Sequence, residues 1–202
     1  MSAAALILAA GRGARFAAGG GTEPSKLLAL WRGKPLVRHV AEAALASRAR
    51  PVVVVTGHAR PEIEAALAGL DLSFAHNAAF ADGLAGSLAC GIAALPPGTE
   101  NAVILLGDMP DIHAALIDRL TGALRANPKA AAAAPLYQGA RGNPVALARR
   151  LFAQAASLQG DQGARKILDS LGDGLIEVAV DDAGIALDID TPETLSALKR
   201  GE

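Results

Sequence analysis

Apolar runs of strand length alternate with amphipathic segments along most of the chain. Residues 3–8 are uninterruptedly apolar, which is typical of a strand buried on both faces of a parallel sheet. Similar runs follow at 51–56, 72–76, 102–106 and about 130–136. Helical periodicity separates them, at about 35–47, 60–68, from the Gly83–Ser87 region to about 95, and 113–126. This alternation predicts an α/β fold of three layers (α/β/α), Rossmann-like, with a mostly parallel sheet.

The remaining segments are shorter and less regular. Residues 9–26 predict a loop whose glycine-rich middle, 17–24, is expected to be mobile without a ligand, and residues 27–30 predict a short extended piece. A short strand near 145, helices at about 149–156 and 165–171, and a hairpin of 175–180 with 184–187 are expected. Thr191 and Pro192 predict the N-cap and first position of a terminal helix. Without a visible linker or repeat, we expect one domain over residues 1–202.

The composition supports such a domain and excludes several classes of protein. Of the 202 residues, 51% are hydrophobic but only 3% aromatic, which predicts an aliphatic core. A net charge of −1 argues against binding to nucleic acid or an anionic membrane. The single cysteine, Cys90, excludes an internal disulfide and a cysteine-based zinc site. No apolar run reaches the roughly 18 residues of a membrane span, and no basic region precedes the first strand, so we expect a cytoplasmic protein.

The ends of the apolar strands point to a ligand site. Ligands of parallel sheets bind outside the carboxyl ends of the strands, where Gly11, Gly57, Asn77 and Asp108 fall. The loop after the first strand can bring backbone N–H groups close to phosphate oxygens, and Arg15 and Lys26 add positive charge. The loop lacks the third glycine of the dinucleotide pattern and the Gly-Lys-Ser/Thr of a Walker loop. A nicotinamide oxidoreductase is therefore the weakest alternative.

Carboxylates suggest a metal ion at the same edge. Asp108 follows the strand 102–106, where a carboxylate can hold Mg²⁺, although capping of the next helix is the alternative. Asp188 and Asp190 share one side of an extended segment, so either could supply a second carboxylate. The alternative is that Asp190 or Thr191 only caps the terminal helix. No nucleophilic set such as Ser/His/Asp emerges. This inventory favours nucleotidyl transfer, which relies on positioning, cations and a metal.

Six motifs, in order, resemble the molybdenum cofactor nucleotidyltransferase-like family over nearly the whole chain. They are Leu8-Ala9-Ala10-Gly11-x-x-x-Arg15-Phe16 with Lys26-Leu27-Leu28 and Gly33-Lys34-Pro35-Leu36, Gly83-Leu84-Ala85-Gly86-Ser87-Leu88, Gly107-Asp108-Met109-Pro110, Arg141-Gly142-Asn143-Pro144-Val145, Gly160-Asp161-Gln162-Gly163-Ala164-Arg165, and Asp188-Ile189-Asp190-Thr191-Pro192-Glu193. The resemblance implies a nucleotide-diphospho-sugar transferase-like fold. It also implies that residues 1–110 form the nucleotide-binding half and 111–202 the acceptor-binding half.

The resemblance implies a role for each matching residue. Lys26 and Arg15 would bind the phosphates and act in catalysis with Asp108, and Asp108 and Asp190 would hold Mg²⁺. The nucleotide-binding residues would be Leu8, Ala9, Ala10, Gly11, Arg12, Gly13, Lys26, Gly57, Asn77, Gly83, Ser87 and Asp108. The acceptor would contact Arg141, Asn143 and Arg165. For the two arginines, a role as surface charge is an equally open alternative.

Within that family, two motifs favour the branch that joins CTP to molybdopterin, giving molybdopterin cytosine dinucleotide and pyrophosphate. They are the Leu-Ala-Ala-Gly opening and the Gly-Asp-Gln-Gly-Ala-Arg run. Leu84-Ala85-Gly86 is closer to the guanylyl branch. A molybdenum hydroxylase would receive the product. Two alternatives remain open: a transferase of the same fold using GTP or another acceptor phosphate, and a non-catalytic nucleotide-binding accessory protein for such a hydroxylase.

Overall fold

A mixed, mostly parallel sheet of eight strands forms the centre of the protein. The structure is a computed structural model that describes residues 2–200. The strands of this sheet are β1 (Ala3–Ala9), β4 (Val52–Thr56), β5 (Ser73–His76), β6 (Asn101–Leu106), β7 (Ala132–Tyr137), β8 (Ala140–Arg141), β9 (Val145–Ala148) and β10 (Leu175–Ala179). A separate small hairpin consists of β2 (Leu30–Trp31) and β3 (Lys34–Pro35).

The helices lie on both faces of this sheet. They are α1 (Ala14–Ala18), α2 (Leu36–Ala46), α3 (Arg60–Ala66), α4 (Leu84–Ala93), α5 (Ala114–Ala126), α6 (Phe152–Ala156), α7 (Arg165–Leu168) and α8 (Pro192–Arg200). One aliphatic core packs α2, α3 and α5 against the sheet, and a second packs α4, α6 and α7 against the other face. The predicted three-layer α/β/α class is thereby confirmed.

The strand order places the ends of β1 and β6 side by side at the middle of one edge. The order is β10-β7-β9-β6-β1-β4-β5, with β8 paired to β7. Strands β6, β1, β4 and β5 run parallel, whereas β9 is antiparallel to both of its neighbours. Leu8 pairs with Leu106 in the register, so the glycine-rich loop and Asp108 leave the sheet next to each other.

Three local predictions are wrong. Residues 175–180 and 184–187 do not form a hairpin, because β10 pairs in parallel with β7 and residues Ala183–Ala186 form a 3-10 helix. Asp182 caps that helix by accepting a hydrogen bond from the Gly184 N–H at 2.8 Å. The loop 9–26 contains α1, and the extended piece predicted at 27–30 begins as the 3-10 helix Lys26–Leu28. Pairing with the distant β7 decides the first case, whereas the two 3-10 helices are capped locally by Asp182 and Ser25.

None of the helices within residues 2–200 has the length and apolar character needed to cross a bilayer.

Candidate active site

A cavity of about 460 Å³ opens at the carboxyl ends of β1 and β6. Its two walls come from the two helical layers. Lys26 and Leu27 line one wall, and the Leu27 side chain belongs to the core of α2, α3 and α5. Phe80 and Leu84 line the other wall and pack against the core of α4. The cavity therefore lies across the sheet edge, where ligands of parallel sheets bind.

The glycine-rich loop is shaped so that Lys26 can approach it. Gly13 has a φ of 61° and precedes α1, and a Cβ at this position would lie 3.1 Å from Lys26 Cγ. A larger residue is therefore disfavoured by both backbone conformation and space. Lys26 is in turn fixed between two buried neighbours, Ser25 and Leu27, and the Ser25 hydroxyl accepts a hydrogen bond from the Leu27 N–H at 3.3 Å.

The Lys26 ammonium connects the two predicted metal carboxylates. Its Nζ lies 2.5 Å from Asp108 Oδ2 and donates to Asp190 Oδ1 at 2.7 Å, while Arg15 pairs with the other oxygen of Asp190. Burial alone would lower the pKa of Lys26, but the two carboxylates outweigh burial and raise it above its ordinary value. Burial likewise opposes ionisation of Asp190, but Lys26 and Arg15 hold the pKa of that carboxyl below its ordinary value. Lys26 and Asp190 therefore face each other as an ion pair.

Asp188 and Asp190 both line the cavity, and the residue between them points the other way. Ile189 is completely buried, and its N–H donates to the Asp108 carbonyl at 3.0 Å. This alternation is the one expected for an extended segment. Thr191 caps α8, since its Oγ1 accepts from the Thr194 N–H at 3.2 Å. The capping role that was an alternative for Asp190 or Thr191 therefore belongs to Thr191.

The opposite wall is less charged and includes Phe80 and Asp161, to which the sequence analysis assigned no role of their own. Phe80 lies below the Arg12 guanidinium, with 5.6 Å between the guanidinium carbon and the ring centre. The loop before α7 contributes Asp161 and packs closely against the start of α4. The Ala85 N–H donates to the Gly160 carbonyl at 3.0 Å, and a Cβ on Gly83 (φ 109°) would collide with the Gly160 backbone. Finding Phe80 and Asp161 requires knowing how these loops pack on α4.

Most of the predicted nucleotide and metal residues line this cavity. These are Leu8, Ala10, Gly11, Arg12, Gly13, Arg15, Lys26, Gly83, Ser87, Asp108 and Asp190. Ala9, Gly57 and Asn77 are not among the lining residues. Asn77 lies behind the wall, where its Nδ2 donates to the Ser87 hydroxyl at 3.1 Å. It thus contacts a lining residue, and direct contact of Asn77 with a nucleotide stays a prediction.

The three predicted acceptor residues do not line the cavity either. Arg141 contacts Asp169 at 2.9 Å and Glu177 at 3.6 Å, and the Asn143 N–H donates to the Ile185 carbonyl at 2.9 Å. Arg165 is exposed at the start of α7. Their roles toward an acceptor stay predictions.

The donor set at the cavity suits a hard divalent cation shared with a ligand. Within residues 2–200, no group of three or more His, Cys, Asp or Glu side chains could by itself hold a metal ion. Asp108 and Asp190 nevertheless converge on one positive charge, the Lys26 ammonium. Mg²⁺ is usually bound by one or two carboxylates together with water and substrate phosphates, so a pair of carboxylates beside the glycine-rich loop fits it.

Comparison with known proteins identifies a family and a fold. Residues 5–175 match the model of the MobA-like NTP transferase domain. The structure is similar to that of Rv0371c from Mycobacterium tuberculosis H37Rv, with a TM-score of 0.84, 25% identity, and coverage of 99% of this chain and 98% of that chain. A second structure of that protein, a complex with manganese, gives a TM-score of 0.80 at 24% identity and covers 100% of each chain.

Curated relatives share part of the sequence. The bifunctional protein GlmU of Acidovorax ebreus (strain TPSY) is 37% identical over 125 residues, covering 58% of this chain and 25% of that protein. The purine catabolism protein PucB of Bacillus subtilis (strain 168) is 33% identical over 105 residues, covering 51% of this chain and 49% of that protein. The chain thus spans about a quarter of one relative and about half of the other.

Proposed function

The chain belongs to the MobA-like NTP transferase domain family, and from this premise we propose its reaction and its substrates. Membership of this family makes the protein a nucleotidyltransferase. The reaction is divalent-metal-dependent transfer of a nucleotidyl group from an NTP to an acceptor phosphate, with release of pyrophosphate. One observation carries the proposal: the Lys26 ammonium bridges Asp108 and Asp190 beside Arg15 at the mouth of the glycine-rich loop.

The distribution of charge orients the NTP. Arg12, Arg15 and Lys26 lie on the loop side of the cavity, together with backbone that can approach a phosphate closely. The far wall carries Phe80, Leu84 and the Ser87 hydroxyl, which suit a base and ribose better than a polyphosphate. The triphosphate would therefore lie along the glycine-rich loop, and the base would lie toward α4.

The chain's own groups then account for the chemistry. An acceptor phosphate oxygen forms a bond to the α-phosphorus of the NTP, and the bond from that phosphorus to the oxygen bridging toward the β-phosphate breaks. Lys26 and Arg15 stabilise the negative charge that accumulates on the departing pyrophosphate. Asp108 and Asp190 would hold a divalent cation, whose chemistry is to neutralise and align the phosphates.

For the substrates, we propose CTP and molybdopterin, giving molybdopterin cytosine dinucleotide. Support comes from the family assignment and from the Leu8-Ala9-Ala10-Gly11 opening, which resembles the cytidylyl branch. A molybdenum hydroxylase would then receive the product, and residues 111–202 would contribute the acceptor side.

A second candidate keeps the chemistry and changes the substrates. Leu84, which lines the cavity, begins Leu84-Ala85-Gly86, a run that resembles the guanylyl branch and favours GTP. For this candidate, a panel of sugar phosphates tests the possibility of another acceptor phosphate.

The test is pyrophosphate release by the full chain with Mg²⁺ or Mn²⁺, each of the four NTPs, and molybdopterin or a panel of sugar phosphates. We expect release with CTP and molybdopterin. Release with GTP or with a sugar phosphate would support the second candidate and overturn the first. No release with any pair, combined with retained NTP binding, would contradict transfer and support a nucleotide-binding accessory protein.

A further inference from the structure

A third apolar cluster lies under the reaction centre, apart from the two main cores. Its buried members are Phe16, Ala29, Trp31, Leu36, Ile189 and Leu195. Three separate segments supply them: α1 of the glycine-rich loop, the region from the 3-10 helix to α2, and the carboxyl-terminal segment with α8. The cluster therefore joins parts of the chain that are about 175 residues apart in sequence. The ion pair between Arg15 and Asp190 spans the same separation.

Ile189 ties this cluster to both candidate metal carboxylates. Its side chain is 0% exposed within the cluster, and its N–H donates to the Asp108 carbonyl at 3.0 Å. Asp190 follows it directly and faces the cavity. Because Ile189 is anchored on both its backbone and its side chain, the distance between Asp108 and Asp190 depends on its packing.

Phe16 connects the same cluster to the glycine-rich loop. Its ring is buried beside the mostly exposed Arg15 side chain, which reaches Asp190. The glycine-rich run wraps over this ring, since a Cβ on Gly21 would collide with it, and a Cβ on Gly19 would lie 2.9 Å from Pro192 Cδ at the start of α8. The predicted mobile loop thus packs against the carboxyl-terminal segment.

That segment lies beyond residues 5–175, the part of the chain that matches the family model. Leu195 anchors α8 to the cluster, and Thr191 caps this helix. We propose that Ile189 and Phe16 are positioning residues, whose shared apolar cluster holds Asp190 and Arg15 against Asp108 and Lys26 for metal and phosphate binding. This inference rests on the proposed function and extends it to the residues that assemble the site.

Two isoleucines with the same burial provide a matched test. Ile189 and Ile117 are both 0% exposed, but Ile117 lies on α5 in a main core. Mn²⁺ binding to the full chain with a non-hydrolysable NTP analogue is measured by electron paramagnetic resonance, next to thermal unfolding. Ile189→Ala and Ile117→Ala should both lower the melting temperature, since each leaves a cavity. Only Ile189→Ala should also weaken Mn²⁺ binding, by about 10-fold or more, as loss of groups that orient metal ligands does.

Conservative variants keep the comparison interpretable. Ile189→Val should restore Mn²⁺ binding close to wild type. If Ile189→Ala does not fold, Leu195→Ala and Leu116→Ala, both 7% exposed in the wild type, make the same comparison. Equal Mn²⁺ affinity in the two members of a pair would overturn the positioning role alone. Absence of Mn²⁺ binding in the wild type would overturn the metal of the proposed function and this inference with it.

Discussion

Two groups of basic residues in glycine-rich turns have different surroundings. Arg15 and Lys26 converge on Asp190 at the cavity, with Lys26 also on Asp108. Arg141 instead contacts Asp169 and Glu177 outside the cavity lining, and Arg165 is exposed on α7. The comparison shows that a basic residue near glycines is a weak indication of a site. Its position relative to the strand ends matters more.

The sheet order explains this difference. Asp108 follows β6, and the glycine-rich loop follows β1, its parallel neighbour. Arg141 lies on β8, a two-residue strand paired to β7, which is separated from β6 by the antiparallel β9. Ligand-binding loops gather where parallel strands end side by side, and β8 lies outside that region.

The largest expected effect is that of removing Lys26. Lys26→Ala should reduce kcat for pyrophosphate release by about 10²–10³-fold, the usual cost of losing one preorganised charge in an active site. Lys34→Ala is the matched control, because Lys34 pairs with Glu42 outside the cavity lining and should leave kcat unchanged. Steady-state kinetics at saturating metal measure both. Similar kcat values for the two variants would contradict a role of Lys26 in the reaction.

Removing Arg15 should have a smaller effect. Its side chain is 78% exposed, so solvent screens its charge. Arg15→Ala should raise the KM for the NTP by about 10-fold, equivalent to about 1.4 kcal/mol of binding. A lower kcat at an unchanged KM would instead restrict Arg15 to stabilising the departing pyrophosphate and would contradict its role in binding the ground-state phosphates. Arg12→Ala, measured in parallel, tests the third cation of this wall.

Substituting Arg165 and Arg141, in the last third of the chain, tests whether these arginines bind the acceptor. If Arg165 binds the acceptor, Arg165→Ala should raise the acceptor KM by about three- to ten-fold and leave the NTP KM unchanged, a modest loss for an exposed charge. Arg141→Ala should raise it less, because its guanidinium is engaged by Asp169 and Glu177. An unchanged acceptor KM in both variants would assign these arginines to the surface.

The smallest effect concerns stability and pH. The pKa of Asp190 is lowered from its ordinary 3.8, so its ionic contribution to folding is present above that pH and is lost as pH falls through the lower, folded value. Because the pKa of Lys26 is raised, the contribution of this ion pair to folding is fully present below the ordinary lysine pKa of 10.5. Chemical denaturation should therefore show a constant difference in unfolding free energy between wild type and Asp190→Asn from about pH 5 to 9.

That difference should decrease only below pH 3.8. Lys26→Met should reduce this difference wherever Asp190 is ionised, because one of the two cations that pair with Asp190 is gone. A difference that instead grows as the pH falls below about 6 would mean that the pKa of Asp190 is raised rather than lowered in the folded protein.

The sequence predicted the fold and one wall of the cavity well. Uninterrupted apolar runs identified the parallel strands, and the residues directly after β1 and β6 identified Gly11 and Asp108. The alternation of Asp188, Ile189 and Asp190 also predicted correctly that both carboxylates share one side. These features are local, because they follow from side-chain periodicity and strand direction.

The other wall could not be read from the sequence in the same way. Phe80 and Asp161 reach the cavity because two irregular loops pack on the start of α4, which depends on the close contact between Gly83 and Gly160. The strand β10 was misread as part of a hairpin because its apolar pattern does not reveal that its partner is β7. Contacts between distant segments decide both cases.

The most direct test of the account is metal-dependent pyrophosphate release by wild type, Asp108→Asn and Asp111→Asn. Both variants remove one carboxylate charge within three residues of each other, but only Asp108 lines the cavity and contacts Lys26. We predict that Asp108→Asn abolishes release at every Mg²⁺ concentration while Asp111→Asn retains it. Undiminished release by Asp108→Asn would contradict the reaction centre described here.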